Sequence, residues 1–197
     1  YGLSNVVDVV VPETVTTITA TAFQGTGYYT NELNEKGYVC VYNDPQGGAL
    51  RYGHLLKVAN PETPGSTFII PNRTLSIAKD AFENCSKLSS LTMGDSVTTI
   101  GYDAFYSCDN LKSVVIPDSV TTIGNSAFSG CGFTGTLTLP KGLVEIGSSA
   151  FSGTKFKGEL NIPSTVTVIG GGAFYGTEFS GTLILPKELI SIGSRAF

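Results

Sequence analysis

The sequence is poor in charge: 14% of its 197 residues are Asp, Glu, Lys or Arg, and no basic run occurs among them. That fraction, beside 41% hydrophobic residues and 24 glycines, excludes a disordered acidic tail and a coiled coil. With 12 basic and 16 acidic residues the net charge is -4, so no surface is set up to gather phosphate backbones, and no nucleic-acid partner is expected. No stretch approaches the roughly 18 to 20 apolar residues that cross a bilayer, so no membrane-spanning segment is expected. Residues 1–11 lack a basic flank and a small-residue cleavage site, and the chain starts without Met. It reads as a mature or trimmed chain, from which secretion cannot be judged.

Chemistry-bearing residues are equally sparse. One histidine, His54, cannot assemble a His-based triad or a two-His metal site. The carboxylates show neither the facing pair of glycoside hydrolysis nor the alternating Asp and Asn of a calcium loop. Gly170-Gly171-Gly172 is followed by no Gly-Lys-Ser/Thr, so it is no phosphate loop. No catalytic residue, metal or cofactor is expected, and the chain reads as a non-enzyme.

What the sequence does contain is a repeat. Ala-Phe recurs at Ala81-Phe82, Ala104-Phe105, Ala127-Phe128, Ala150-Phe151, Ala173-Phe174 and Ala196-Phe197, always 23 residues apart. Pro71, Pro117, Pro140, Pro163 and Pro186 keep the same phase, with Gly94 in the remaining slot, and residues 12–23 form an earlier copy. Each unit runs apolar-x-apolar-Pro, then Val or Leu, then Ile-Gly, then Ala-Phe. Leu137-Thr138-Leu139 has the alternation of a half-buried strand, ended by Pro140, which has no N–H to give to a ladder. The Ile-Gly stretch then predicts a second short extended piece and a tight turn, with Gly101, Gly124, Gly147, Gly170 and Gly193 in a backbone conformation that other residues resist.

A 23-residue unit cannot bury its apolar stripe alone, but copies stacked at strand spacing make one core. The fold class expected is a mainly β repeat solenoid, right-handed and leucine-rich-repeat-like, with Phe105, Phe128, Phe151 and Phe174 in an interior aromatic ladder. Cys85, Cys108 and Cys131 share one ladder position and read as buried free thiols. From residue 132 onward the anchor after Ala-Phe changes from Cys-x-x-Leu to Phe-x-Gly (Gly135, Gly158, Gly181), which predicts room or a bend there and a change of curvature.

The pattern Ile-Pro-x-x-Val-x-x-Ile-Gly-x-x-Ala-Phe-x-x-Cys, nearly intact over residues 116–131, resembles the BspA-like leucine-rich repeats of bacterial surface proteins. The resemblance covers residues 5–23 and 68–197. It implies a secreted or cell-surface binding module whose partners include host matrix proteins and cell-surface glycans, and it carries over no functional residues. The domain reading is one leucine-rich repeat domain over 1–197, a fragment of a longer surface protein, with rungs at 5–23 and 68–197.

Residues 24–67 interrupt the repeat and read as an inserted β-hairpin and return loop. Tyr38, Tyr42 and Tyr52 are its candidate contacts, Tyr giving large contact area at modest entropic cost. The alternative is an edge or capping element. The outward strand positions, led by Thr92, Val115, Thr136, Thr138, Glu159, Asn161, Thr182 and Ile184, predict a flat, mostly hydroxyl-bearing sheet face for a protein or glycan. A structural spacer is the competing reading, favoured by the stop at Phe197 without a polar cap, and a carbohydrate-active enzyme is a distant third.

Overall fold

A computed structural model of the chain describes residues 18, 22, 38–42, 53–58, 67–70 and 73–197; within 38–42 and 53–58, Leu55 alone has a described side chain. The architecture is a parallel β-solenoid, with no helix among the described residues. Its main sheet has eight strands in the order β1 (Tyr38–Tyr42), β2 (Gly53–Val58), β4 (Thr74–Ile77), β6 (Thr99–Ile100), β7 (Thr122–Ile123), β9 (Glu145–Ile146), β11 (Val168–Ile169) and β13 (Ser191–Ile192). From β4 on, every neighbour is parallel and one repeat later. Ile77, Ile100, Ile123, Ile146, Ile169 and Ile192 therefore lie in one column.

Two extended stretches are expected in each unit, and they are not paired alike. The continuous ladder is carried by the Ile-Gly stretch and not by apolar-x-apolar-Pro. The reason lies in how closely successive rungs approach at the glycines. A Cβ on Gly101 would sit 2.7 Å from the Ala78 carbonyl carbon, and one on Gly147 2.5 Å from the Asn125 nitrogen. These glycines have no positive φ, so the conformational role expected of them is wrong: they are needed because a side chain would push the rungs apart.

Positive φ occurs instead on both sides of Ala-Phe, at Asp80, Asn84, Asp103, Ser107, Ser126 and Ser149 among others. Asp, Asn and Ser are short and polar, and Asp and Asn enter the left-handed region more readily than most residues. Between these kinks, the N–H groups of Phe82, Phe105, Phe128, Phe151 and Phe174 donate to the Ala carbonyl of the next rung at 2.7 to 2.8 Å. This clamp stacks the rings. Phe82, Phe105, Phe128, Phe151, Phe174 and Phe197 form a continuous stack with centroids 4.8 to 5.6 Å apart. A second stack, Phe133, Phe156 and Phe179, leans against it edge-on or tilted.

The change of anchor at residue 132 becomes a change of sheet. In the earlier rungs β3 (Thr67–Ile69) pairs with β5 (Ser90–Thr92) in parallel. In the later rungs pairing moves back along the chain to β8 (Thr134–Gly135), β10 (Lys155–Gly158) and β12 (Glu178–Phe179).

The insertion is built into the solenoid. β2 runs parallel to β4 with Leu55 opposite Ile77, and the Ala78 N–H donates to the Leu55 carbonyl at 2.8 Å. Leu55 is fully buried in the same core. β1 then turns back antiparallel on β2.

Candidate functional site

Alternation along the apolar-x-apolar-Pro segments sorts side chains inward and outward. Leu91, Ile116, Leu137, Leu139 and Leu160 are buried in the core. The outward positions fall in two columns: Thr67, Ser90, Ser113, Thr136, Glu159 and Thr182, and Ile69, Thr92, Val115, Thr138, Asn161 and Ile184. All eight predicted face residues, Thr92, Val115, Thr136, Thr138, Glu159, Asn161, Thr182 and Ile184, are exposed. Val115 at 81% and Ile184 at 75% are among the most exposed apolar side chains described. Thr67 and Ile69, the latter 67% exposed, extend the columns by one rung. The sequence reading missed them, although their phase of 23 residues places them there.

One feature of the predicted face is corrected. It is a hydrogen-bonded sheet only where β3 meets β5. At 113–116, 136–139 and 159–162 no strand forms among the described residues, and the N–H and C=O groups there make no hydrogen bond among them. The glycine expected to give room or a bend before these segments gives a bend. Gly135 and Gly158 both have φ near +83, and a Cβ at Gly135 would meet nothing within 4 Å. The chain is thus turned out of β8 and β10 before it reaches Leu137 and Leu160. A shallow cleft of about 290 Å³ separates Leu139 and Lys141 from Asn161–Ser164.

The rim beside the Pro corners is charged. Lys141 lies 3.4 Å from Asp118 one rung before it, and its N–H donates to the other carboxylate oxygen at 3.2 Å. That main-chain hydrogen bond, with the Lys141 ammonium adding to it, holds the Asp118 carboxyl below the usual range. At the Ala-Phe corner, Asp103 is pushed the other way by burial and by the charges of Asp80 and Glu83, against a hydrogen bond from Ser126.

The thiols are where the repeat put them. Cys85, Cys108 and Cys131 are buried and in no disulfide. The Cys108 and Cys131 Sγ–H groups donate to the carbonyls of Phe82 and Phe105, at 3.2 and 3.1 Å. In later rungs Thr154 and Thr177 take the slot and bond the Phe carbonyl of their own rung at 2.8 and 2.7 Å. Cys40 and His54 lie in β1 and β2, and their side chains are outside the described residues, as are those of Tyr38 and Tyr42; Tyr52 is outside altogether. Among the described residues no group of three or more His, Cys, Asp or Glu could hold a metal ion, and no helix is long and apolar enough to cross a membrane.

The model of the BspA type leucine rich repeat region matches in six copies over residues 62–178 and 158–197. A T. pallidum leucine rich repeat protein is similar in structure, with TM-score 0.58 and 26% identity over 72% of this chain and 65% of that one. A leucine rich cell surface protein from Faecalibacterium prausnitzii gives TM-score 0.60 and 26% identity over 89% of this chain and 48% of its own. A leucine-rich repeat protein from Eubacterium ventriosum, 20% identical over 97% of this chain and 58% of its own, shares the fold at TM-score 0.55. The chain spans about half to two thirds of the length of these structures. No curated protein matches it. The repeat, the solenoid it builds and the matched residues together make this chain a member of the BspA-type leucine-rich-repeat family.

Proposed function

We propose that this repeat module recognises a macromolecule at a bacterial cell surface through its outward Pro-side face. The observation that carries this reading is the separation of the two sides of the segments up to residue 162: the predicted face residues there are exposed, while Leu91, Ile116, Leu137, Leu139 and Leu160 between them are buried in the core and Val114 and Ile162 pack partly buried against it. The face is long, carries one acidic group at Glu159, and is otherwise hydroxyl, amide and small aliphatic. Such a surface forms many weak hydrogen bonds and small apolar contacts across a wide area, as recognition interfaces do. A surface location is supported by the similarity to the F. prausnitzii protein, a leucine rich cell surface protein. The partner class that fits is a host matrix protein or a cell-surface glycan, bound without a cofactor.

The Thr138→Lys/Asn161→Lys double variant tests it on a panel of matrix proteins and a glycan array. Saturable binding by the native chain, insensitive to a chelator and lost in the variant with the fold retained, is the expected result. Binding that survives the double change moves the site elsewhere. Silence across both panels favours the spacer reading, and turnover of a polysaccharide would overturn both.

A further inference from the structure

The Ala-Phe corner is a second outward surface, and along it runs the column Tyr106, Ser129, Ser152 and Tyr175, whose main chain is fully used. Their carbonyls accept from the N–H groups of Asn84, Ser107, Gly130 and Gly153 one rung earlier, at 2.8 to 2.9 Å, and their own N–H groups donate within the turn at 2.9 to 3.1 Å. A partner's strand therefore has no edge to pair with here. Side chains alone are left to meet a ligand.

Tyr106 is 38% exposed and Tyr175 is 56% exposed. The fold does not ask for an aromatic ring at either place, since Glu83, Ser129 and Ser152 fill the same column in other rungs. Between the two tyrosines, residues 125–130 and 148–153 hold only Asn, Ser, Gly and the buried Ala-Phe pairs, so this floor is uncharged. Asn125 is fixed in it, its Oδ1 accepting from the Ser148 N–H at 2.7 Å. Tyr102, a third exposed tyrosine of this corner, has the Lys79 ammonium 5.0 Å from its ring centre and is engaged by the chain itself.

The spacing selects the ligand. Tyr106 and Tyr175 stand three rungs apart, and the Phe rings behind them stack at 5.2 to 5.6 Å, so about 15 Å separates the two phenols along the axis. A pyranose ring with its bridging oxygen advances a glycan by about the length of one rung. Four sugars laid along the axis thus place one ring on each tyrosine and one against each serine between them. The C–H face of a pyranose suits the negative face of a phenol ring, and its hydroxyls suit serine and amide groups. A charged ligand meets no opposite charge on this floor.

We propose that the Ala-Phe corner from Tyr106 to Tyr175 is a binding site for a neutral, linear glycan. Tyr106 and Tyr175 are stacking platforms for the first and fourth of four successive sugars, and Ser129 and Ser152 bond the two between. The site is separate from the Pro-side face and stands whether or not that face binds a partner.

Calorimetric titration of the full chain with linear β-1,4-linked oligosaccharides of glucose and of N-acetylglucosamine tests it. One of the two tetrasaccharides is expected to bind saturably, and about tenfold or more tightly than its disaccharide, which cannot reach both rings. Tyr106→Ala and Tyr175→Ala should each weaken the tetrasaccharide about fivefold, whereas Tyr→Phe at either position keeps the ring and should change affinity less than about twofold. Thr138→Lys/Asn161→Lys on the Pro-side face should leave it unchanged, which separates this site from that one. Equal affinity for the two lengths overturns the proposal, and so does a tetrasaccharide affinity that both alanine variants leave unmoved. Absence of saturable binding to both tetrasaccharides, or binding of a heparin-derived tetrasaccharide in their place, also overturns it. If an alanine variant unfolds, the length dependence in the native chain decides.

Discussion

Single residues in this protein act through what lies one rung away. Phe128 stacks between Phe105 at 5.2 Å and Phe151 at 5.5 Å and also touches Phe133. Phe128→Ala removes one member from the long stack and a contact from the second, and should cost about 3–5 kcal/mol in denaturant unfolding; a loss below about 1 kcal/mol would contradict the packing. Two glycines make a sharper comparison. Gly147→Ala drives a methyl group into the backbone of Asn125 and Gly124, both at 2.5 Å, where nothing flexible can yield. Gly135→Ala meets no atom and bears only the left-handed penalty of about 1–2 kcal/mol. The first should therefore be markedly the more destabilising in parallel melts.

Titration at residue scale has a defined sign. Asp103 is raised above 3.8 in the folded chain, so the unfolded carboxyl ionises first and stability falls as pH rises through that window. Asp103→Asn, which keeps a residue tolerant of positive φ, should be more stable than the native chain at neutral pH, with the advantage gone well below pH 3.8. Burial likewise raises the Cys131 thiol well above 9.0. It should react slowly with a thiol reagent until the chain is unfolded, and stability should decline as pH climbs past the unfolded thiol value near 9.

At the scale of elements, β2 is the part of the insertion that pairs with the repeat. Because Leu55 lies in the core opposite Ile77, β2 covers the edge of β4 as another rung would. Leu55→Ala should cost about 2–5 kcal/mol, and its effect on amide exchange should appear first in β2 and β4. Deleting residues 28–66 uncovers the β4 edge and the Ile77 side chain, so the shortened chain should aggregate rather than stack cleanly. Side-chain hydroxyls add a second set of inter-rung ties. Thr165 Oγ1 lies 2.6 Å from the Leu143 carbonyl and 2.9 Å from that of Lys141. Thr165→Val should cost about 0.5–1.5 kcal/mol.

For the whole molecule, stability is a sum over rungs and their interfaces. Damage to one rung should spread to its neighbours before it reaches the far end. The outward face is separate from this sum, since its side chains contribute little to burial. Thr138→Lys/Asn161→Lys should leave the unfolding midpoint nearly unchanged, surface substitutions usually staying within about 0.5 kcal/mol each, and that separation is what makes the variant a clean probe of binding. A large loss of stability instead would show that the face packs against something.

The 23-residue period fixed, on its own, which side chains go inside: identical residues stacked at strand spacing must share an environment, so the Phe ladder, the buried thiols and the exposed columns followed from phase alone. Period could not say which stretch of each unit carries the hydrogen bonds. That depends on how near two backbones come, and the glycines of Ile-Gly, read as a conformational need, are a clearance need visible only once the neighbouring rung is in place. The left-handed positions fell instead to Asp80, Asn84, Asp103 and Ser107, whose spacing around Ala-Phe is regular but whose identities vary. The turn residues after Tyr42 suggest two strands side by side, and β1 and β2 do pair antiparallel, yet the pairing of β2 with β4 was not legible, because Leu55 opposite Ile77 lies outside the phase of the repeat and only the closed core selects it.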